Sequence, residues 1–156
     1  MNSARRVFLQ KTLLGGASVL ALSTGLLNSA KVLAVWPAKA FAADNLDDAL
    51  QALFEGQTAA ASDAITLQAP DIAENGAVVP ISVSSELANA ESISILIENN
   101  PAPLAASFNL TADTLADVST RVKMGETSNV VAIVKADGKL FMVSKEVKVT
   151  IGGCGG

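Results

Sequence analysis

The chain has 156 residues, a single cysteine, no histidine, no tyrosine and a formal charge of −4 at neutral pH. Without histidine there is no imidazole to ligate zinc or to serve as base to the lone Cys154, so a self-contained Cys–His nucleophile and a zinc centre are both excluded. The acidic balance also excludes nucleic-acid binding, which demands clustered Lys and Arg.

In chain order, the first feature is Arg5-Arg6-Val7-Phe8-Leu9-Gln10-Lys11, a twin-arginine pair followed by an apolar pair. Residues 12–27 carry no charge and are moderately apolar, diluted by Gly15, Gly16, Ser18, Ser23, Thr24 and Gly25. Two overlapping small-x-small patterns follow, Ala38-Lys39-Ala40 and Ala40-Phe41-Ala42. This three-part layout is that of an export signal, and the arginine pair points to the Tat route. A membrane anchor needs about 20 predominantly apolar residues, whereas Asn28, Ser29 and Lys31 interrupt this run. Residues 1–42 are therefore expected to be a Tat-type signal peptide cleaved after Ala42, leaving a periplasmic protein with no membrane segment.

All 15 acidic residues but only six of the 11 basic ones lie beyond Ala42, which gives residues 43–156 a formal charge of −9. Their first element is a short amphipathic helix. Leu46, Ala49, Leu50 and Leu53 recur at helical spacing, Asp44, Asp47 and Asp48 favour its positive end, and Glu55-Gly56 closes it. Beyond it the texture turns to strands: residues 65–69 and 78–84 alternate with period two, and further strands are predicted over 93–97, 104–110, 117–124, 130–135 and 139–150. Residues 70–76 and the run Asn99-Asn100-Pro101-Ala102-Pro103 read as loops. Pro80 suggests an edge or a bulge, and Asp137-Gly138 a tight hairpin.

Seven short strands at regular spacing with one short helix predict an all-β fold, an immunoglobulin-like antiparallel β-sandwich over residues 43–151. Trp36 falls in the leader and only Phe54, Phe108 and Phe141 remain aromatic, so the core must be built from Val, Ile, Leu and Ala. Asp47-Asp48 and the scattered glutamates lack the loop spacing of a calcium site and are expected to be solvated.

Cys154 stands in Gly152-Gly153-Cys154-Gly155-Gly156. A lone cysteine cannot close an internal disulfide, and in an exported protein it signals intermolecular pairing or a reactive thiol. Glycine populates left-handed and extended backbone almost equally, so residues 152–156 are expected to form a flexible arm. From Ile151 it would carry the thiol roughly 10 Å, at ~3.5 Å per extended residue. A prenylation box would need the cysteine fourth from the end. A phosphate-binding loop would need a lysine and a following helix. A terminal-glycine thiocarboxylate, as in ubiquitin-like sulfur carriers, would need the ATP that export removes. Two uses of the thiol remain: covalent attachment of cargo, with the glycines as swivel, and an interchain disulfide in a structural β-sandwich protein.

The stretch Lys123-Met124-Gly125-Glu126-Thr127-Ser128, the strand over residues 130–134, and the terminal Lys145-Glu146-Val147-Lys148-Val149-Thr150-Ile151-Gly152-Gly153-Cys154-Gly155-Gly156 resemble SoxY, the sulfur-carrier subunit of the Sox thiosulfate-oxidising system. The resemblance implies a heterodimer with a SoxZ-like subunit that has no signal of its own. It also implies three transient partners: a haem-containing enzyme that joins thiosulfate oxidatively to the carrier cysteine, a manganese-dependent hydrolase that releases sulfate, and a sulfane dehydrogenase. Carried over, Cys154 holds the sulfur intermediates and Gly152, Gly153, Gly155 and Gly156 form the arm. The chain is then a substrate of its partners, with no catalytic residue, no metal and no cofactor of its own. Nothing near Cys154 in the sequence lowers a thiol pKa, so activation would come from the recipient enzymes.

Overall fold

The computed structural model describes residues 36–150, and the compact unit that carries the elements below begins at Pro37. Among the described residues there are two helices, α1 (Ala38–Phe41) and α2 (Leu46–Phe54). They are followed by strands β1 (Ala60–Ala61), β2 (Ile65–Gln68), β3 (Ile72–Ala73), β4 (Val79–Ser85), β5 (Ala90–Ile97), β6 (Leu104–Asn109), β7 (Asp117–Val122), β8 (Ser128–Ala136) and β9 (Lys139–Val149). The seven longer strands are those the sequence predicts. The structure adds α1 and the two-residue strands β1 and β3.

The large sheet runs β1-β9-β8-β5-β6, with β3 also on β9, and the small sheet runs β2-β4-β7. The long pairings are antiparallel, whereas β1 and β3 lie parallel to β9, opposite Phe141–Met142 and Lys148–Val149. The two sheets form the expected immunoglobulin-like β-sandwich. Its interior is filled by alternate residues from both: Val79, Ile81 and Val83 of β4 against Ile93, Ile95 and Ile97 of β5, Val130, Ala132 and Val134 of β8, and Val147 of β9. Each fully buried aliphatic side chain stabilises the fold by about 1.5–3 kcal/mol, so a core without tryptophan or tyrosine suffices.

The other face of the large sheet is apolar too. Leu96, Leu104, Val131, Ile133 and Leu140 turn outward and are covered by Ala40, Ala43, Ala49 and Phe54 from the helical segment. Asn45 caps α2: its Oδ1 accepts the Asp48 amide at 2.9 Å and its Nδ2 donates to Asp48 Oδ2 at 2.7 Å. Asp48 is thus committed to the helix start. At the far end of α2, Glu55 takes a left-handed conformation (φ 54°), as helix ends often require.

Pro80 lies in the middle strand of the small sheet, yet β2 stops at Gln68 opposite Ser82. One flank of Pro80 therefore has no neighbouring strand, and the missing N–H costs nothing there. Asp137 (φ 49°) and Gly138 (φ 71°) form the hairpin between β8 and β9, both at the positive φ that this turn needs.

Candidate functional site: the root of the C-terminal arm

Cys154 and Gly152, Gly153, Gly155 and Gly156 lie outside the described residues. The structure does show the ground from which the segment departs. Antiparallel pairing sets the end of β9, the start of β8, the end of β5 and the start of β6 at one end of the sandwich. The start of β4 and the end of β7 lie at that end too. The chain turns there over residues 69–78, 98–103 and 123–127.

β9 is held to its last residue on both flanks. On one flank, the Lys148 amide donates to Asp71 O at 3.0 Å and the Thr150 amide to Ala73 O at 3.1 Å, which makes β3 a short clasp. On the other flank, the β8–β9 ladder ends at Ser128 opposite Val147, and the hydroxyl of Thr127 takes over as acceptor for the Val149 amide at 3.0 Å. The loop read as a simple turn, residues 70–76, is thus part of the root. Two-residue strands carry too little periodicity to be legible in a sequence.

Two asparagines brace the Thr127 loop. Asn100 Nδ2 donates to Lys123 O at 2.7 Å, and Asn100 Oδ1 accepts the Gly125 amide at 3.1 Å. Asn99 Nδ2 donates to Thr127 O at 3.1 Å, and its amide donates to the buried Ser128 Oγ at 2.9 Å. Asn side chains mimic backbone partners in this way, so the Asn99-Asn100 pair reads as loop chemistry in sequence and acts as a clamp between loops in the fold. The Met124 amide donates to Gly76 O at 2.7 Å, and Met124 itself is 2% exposed. A Cβ at Gly76 would stand 2.8 Å from Val149 Cγ1 and collide with the Met124 carbonyl oxygen, so only glycine lets the three segments close up here.

An ion pair lies at the root. Lys145 Nζ lies 2.9 Å from Asp71 Oδ1 and donates to Ala69 O at 2.5 Å. The hydrogen bond from Lys145, followed by its charge, holds the Asp71 carboxyl below the usual carboxylate range. Among the described residues no three His, Cys, Asp or Glu side chains are arranged to hold a metal ion.

The fold is a two-sheet sandwich whose last strand is fastened to its final residue, Val149, and in the sequence a glycine-flanked cysteine stands five residues further on. The sequence profile of the sulfur oxidation protein SoxY matches residues 50–154. Among solved structures, that of the sulfur carrier protein SoxY from Chlorobium limicola f thiosulfatophilum is 44% identical, with a TM-score of 0.63, covering 69% of this chain and 97% of that one. The chain belongs to the SoxY family and is a non-catalytic sulfur carrier of sulfur oxidation. A superoxide reductase (neelaredoxin) from Ignicoccus hospitalis is 18% identical with a TM-score of 0.49, covering 64% of this chain and 87% of that one. Curated protein sequences give no match.

Proposed function

We propose that Cys154 is the covalent carrier site, and that residues 152–156 form the arm presenting thiosulfate-derived sulfur to the enzymes of the pathway in the periplasm. The supporting observation is how firmly the preceding segment is held: backbone hydrogen bonding along β9 continues to Thr150, and in the sequence Cys154 follows four residues later among four glycines. Loading joins the Cys154 thiolate to the outer sulfur of thiosulfate, giving a cysteine S-thiosulfonate and releasing two electrons to a haem-containing enzyme. Water then attacks the terminal sulfonate sulfur in a manganese-dependent hydrolase, so that sulfate and a persulfide on Cys154 result. A sulfane dehydrogenase then oxidises the outer persulfide sulfur, with water supplying the oxygens and the electrons passing to an electron-transfer protein, to leave an S-sulfonate on Cys154. A second hydrolysis by water releases this as sulfate and returns the thiol. The family implies partners of the Sox system such as SoxZ, and we assign a SoxZ-like subunit as the stable partner in a heterodimer. Export by the Tat route, with removal of residues 1–42, would bring the carrier to that compartment.

The test is mass spectrometry of the C-terminal peptide after the carrier, with its SoxZ-like subunit, is exposed to thiosulfate and the loading enzyme. A thiosulfonate adduct on Cys154 is expected, and Cys154→Ser should abolish sulfate release while leaving the fold intact. Turnover with Cys154 unmodified would overturn the assignment. A stable disulfide-linked dimer that never accepts sulfur would instead favour the structural use of the thiol.

A further inference from the structure

The small sheet is open along β7. The Ser85 amide donates to Ala116 O at 2.8 Å. Backbone groups alternate in direction along an antiparallel strand, so Val118, Thr120 and Val122 bond toward β4 while Asp117, Ser119 and Arg121 turn theirs away. The Asp117 amide is taken by Leu115 O at 2.8 Å. Among the described residues nothing bonds the Asp117 carbonyl, or the amides and carbonyls of Ser119 and Arg121. The complement of such a row is another extended strand.

The other sheet edges are closed, short or broken. β9 is covered by β1 and β3, β2 has four residues, and the β5–β6 ladder shifts register between Ile95 and Leu96. β7 pairs with β4 over six residues without a shift. Charge on an open edge ordinarily deters pairing, and β7 carries Asp117 and Arg121. Their placement nevertheless suits one partner. They stand two residues either side of Ser119, so a second β7 laid antiparallel and centred on Ser119 sets each Asp117 opposite the other copy's Arg121. Sliding the copies by four residues would instead set Asp117 against Asp117, or Arg121 against Arg121. Both side chains are exposed, and neither has an ion partner in its own copy. They cannot pair with each other, being about 13 Å apart along the strand.

We propose that β7 is a self-docking edge, through which two copies of this chain pair about a twofold axis at Ser119 and join their small sheets into one. Each Ser119 amide then donates to the other copy's Ser119 carbonyl, and each Arg121 amide to the other copy's Asp117 carbonyl. An Asp–Arg pair flanks the axis on either side. Val118 and Thr120, half-buried in the single domain, are covered by the same residues of the other copy. The domain is acidic overall, but at physiological salt repulsion is screened beyond about 8 Å, and the local pairs decide. The end of β7 lies at the arm end of the sandwich, so antiparallel pairing points the two arm roots in opposite directions. This dimer is therefore not the one that a Cys154 disulfide would make.

Sedimentation equilibrium of the Cys154→Ser protein, in which no disulfide can join two copies, tests this at about 0.15 M salt. Reversible dimerisation is expected. Arg121→Asp alone, or Asp117→Arg alone, sets like charge against like on both sides of the axis and should weaken it about tenfold. An equimolar mixture of these two variants restores opposite charge at every position and should dimerise like the parent, as should Asp117→Arg/Arg121→Asp. Amide exchange at Ser119 and Arg121 should slow as the dimer forms. A monomeric parent, or single variants that associate as tightly as the parent, overturns the proposal. So does loss of the dimer on adding the SoxZ-like subunit with the same variants weakening that subunit's binding, since the edge would then belong to the other subunit.

Discussion

Thr127 accepts the amide hydrogen of Val149 through its side-chain oxygen at 3.0 Å, just beyond the point where the β8–β9 ladder ends at Ser128 opposite Val147. A side chain replaces a strand as the partner of the last backbone donor on that flank, and so decides how far out β9 stays fixed. Thr127→Val keeps the shape and removes the acceptor. The change should cost about 1 kcal/mol, felt locally as faster hydrogen exchange at Val149 and Thr150 with Val134 unaffected. Thr127→Ser should restore protection. Equal protection in the valine variant would show that the hydroxyl holds nothing.

Asn100 makes two bonds to the loop that carries Thr127, one as donor and one as acceptor. Asn100→Ala is expected to destabilise the domain by about 1–2 kcal/mol, a fall in Tm of about 4 °C per kcal/mol for a domain of this size. Asn100→Asp keeps the acceptor for the Gly125 amide and loses the donor to Lys123 O, so it should fall between. Thermal unfolding of the three proteins checks the order, and a wild-type Tm for Asn100→Ala would contradict the bracing role.

Gly76 and Gly125 flank the same junction and should respond unequally to alanine. At Gly76 the new Cβ meets Val149 Cγ1 at 2.8 Å and backbone on its other side, which cannot swing away. The β3–β4 loop must shift, at about 1–3 kcal/mol as overpacking typically costs. At Gly125 the nearest atom is Asn100 Oδ1 at 3.9 Å, ordinary contact. Denaturant unfolding of the pair should show a clear loss for Gly76→Ala and almost none for Gly125→Ala. A reversed order would mean that the junction is not closed as described.

The long strands were legible in two ways: Val79-Pro80-Ile81 of β4 carries the alternation of a strand buried on one face, and residues 130–134 of β8 form the continuous apolar run of a strand buried on both. The α2 helix was legible from Leu46, Ala49, Leu50 and Leu53. The root of the arm was not. Its parts are single side chains answering single backbone groups far away in sequence, as Asn100 answers Lys123 and Thr127 answers Val149. No periodicity records such pairs. α1 was hidden for a different reason: small residues that read as a cleavage motif are also good helix formers, and the burial of Ala40 comes from its packing with Leu96 and Leu104, far away in sequence.

Acid should weaken the fold through two named carboxylates. Lys145 lowers the pKa of Asp71, and Glu91 is lowered first by its hydrogen bond from Lys135, 2.9 Å away, and then by the Gly138 amide. A folded pKa below the unfolded one gives stability that is complete above the unfolded values, about 3.9 for Asp and about 4.3 for Glu. That stability is lost as pH falls through the depressed folded values. Both pairs are solvent-exposed, so each effect is small. Glu91→Gln should be less stable than wild type near neutrality and indistinguishable from it once Glu91 is protonated. Unfolding measured from about pH 7 to about pH 2 tests this, and a gap that stays constant with pH would exclude Glu91 as its source.

Removal of residues 1–42, if it occurs as proposed, acts on a motif that is folded. In Ala40-Phe41-Ala42 the first alanine is 1% exposed in the cluster with Leu96 and Leu104, and the Ala42 amide donates to Ala38 O at 3.1 Å. A peptidase that takes small-x-small residues in extended form needs α1 melted first, so cleavage should follow the population of the locally opened state. A four-residue helix has little stability of its own, and what keeps α1 closed is its seat on β6 and α2. Leu104→Ala loosens that seat without altering any residue of the motif, and should speed conversion of precursor to mature protein several-fold in a pulse-chase experiment. Amide exchange in α1 should rise in the same variant, and the mature protein should begin at Ala43. Faster exchange with unchanged processing would show that opening of α1 does not limit cleavage, because the peptidase would then be waiting on a later step than access to Ala42.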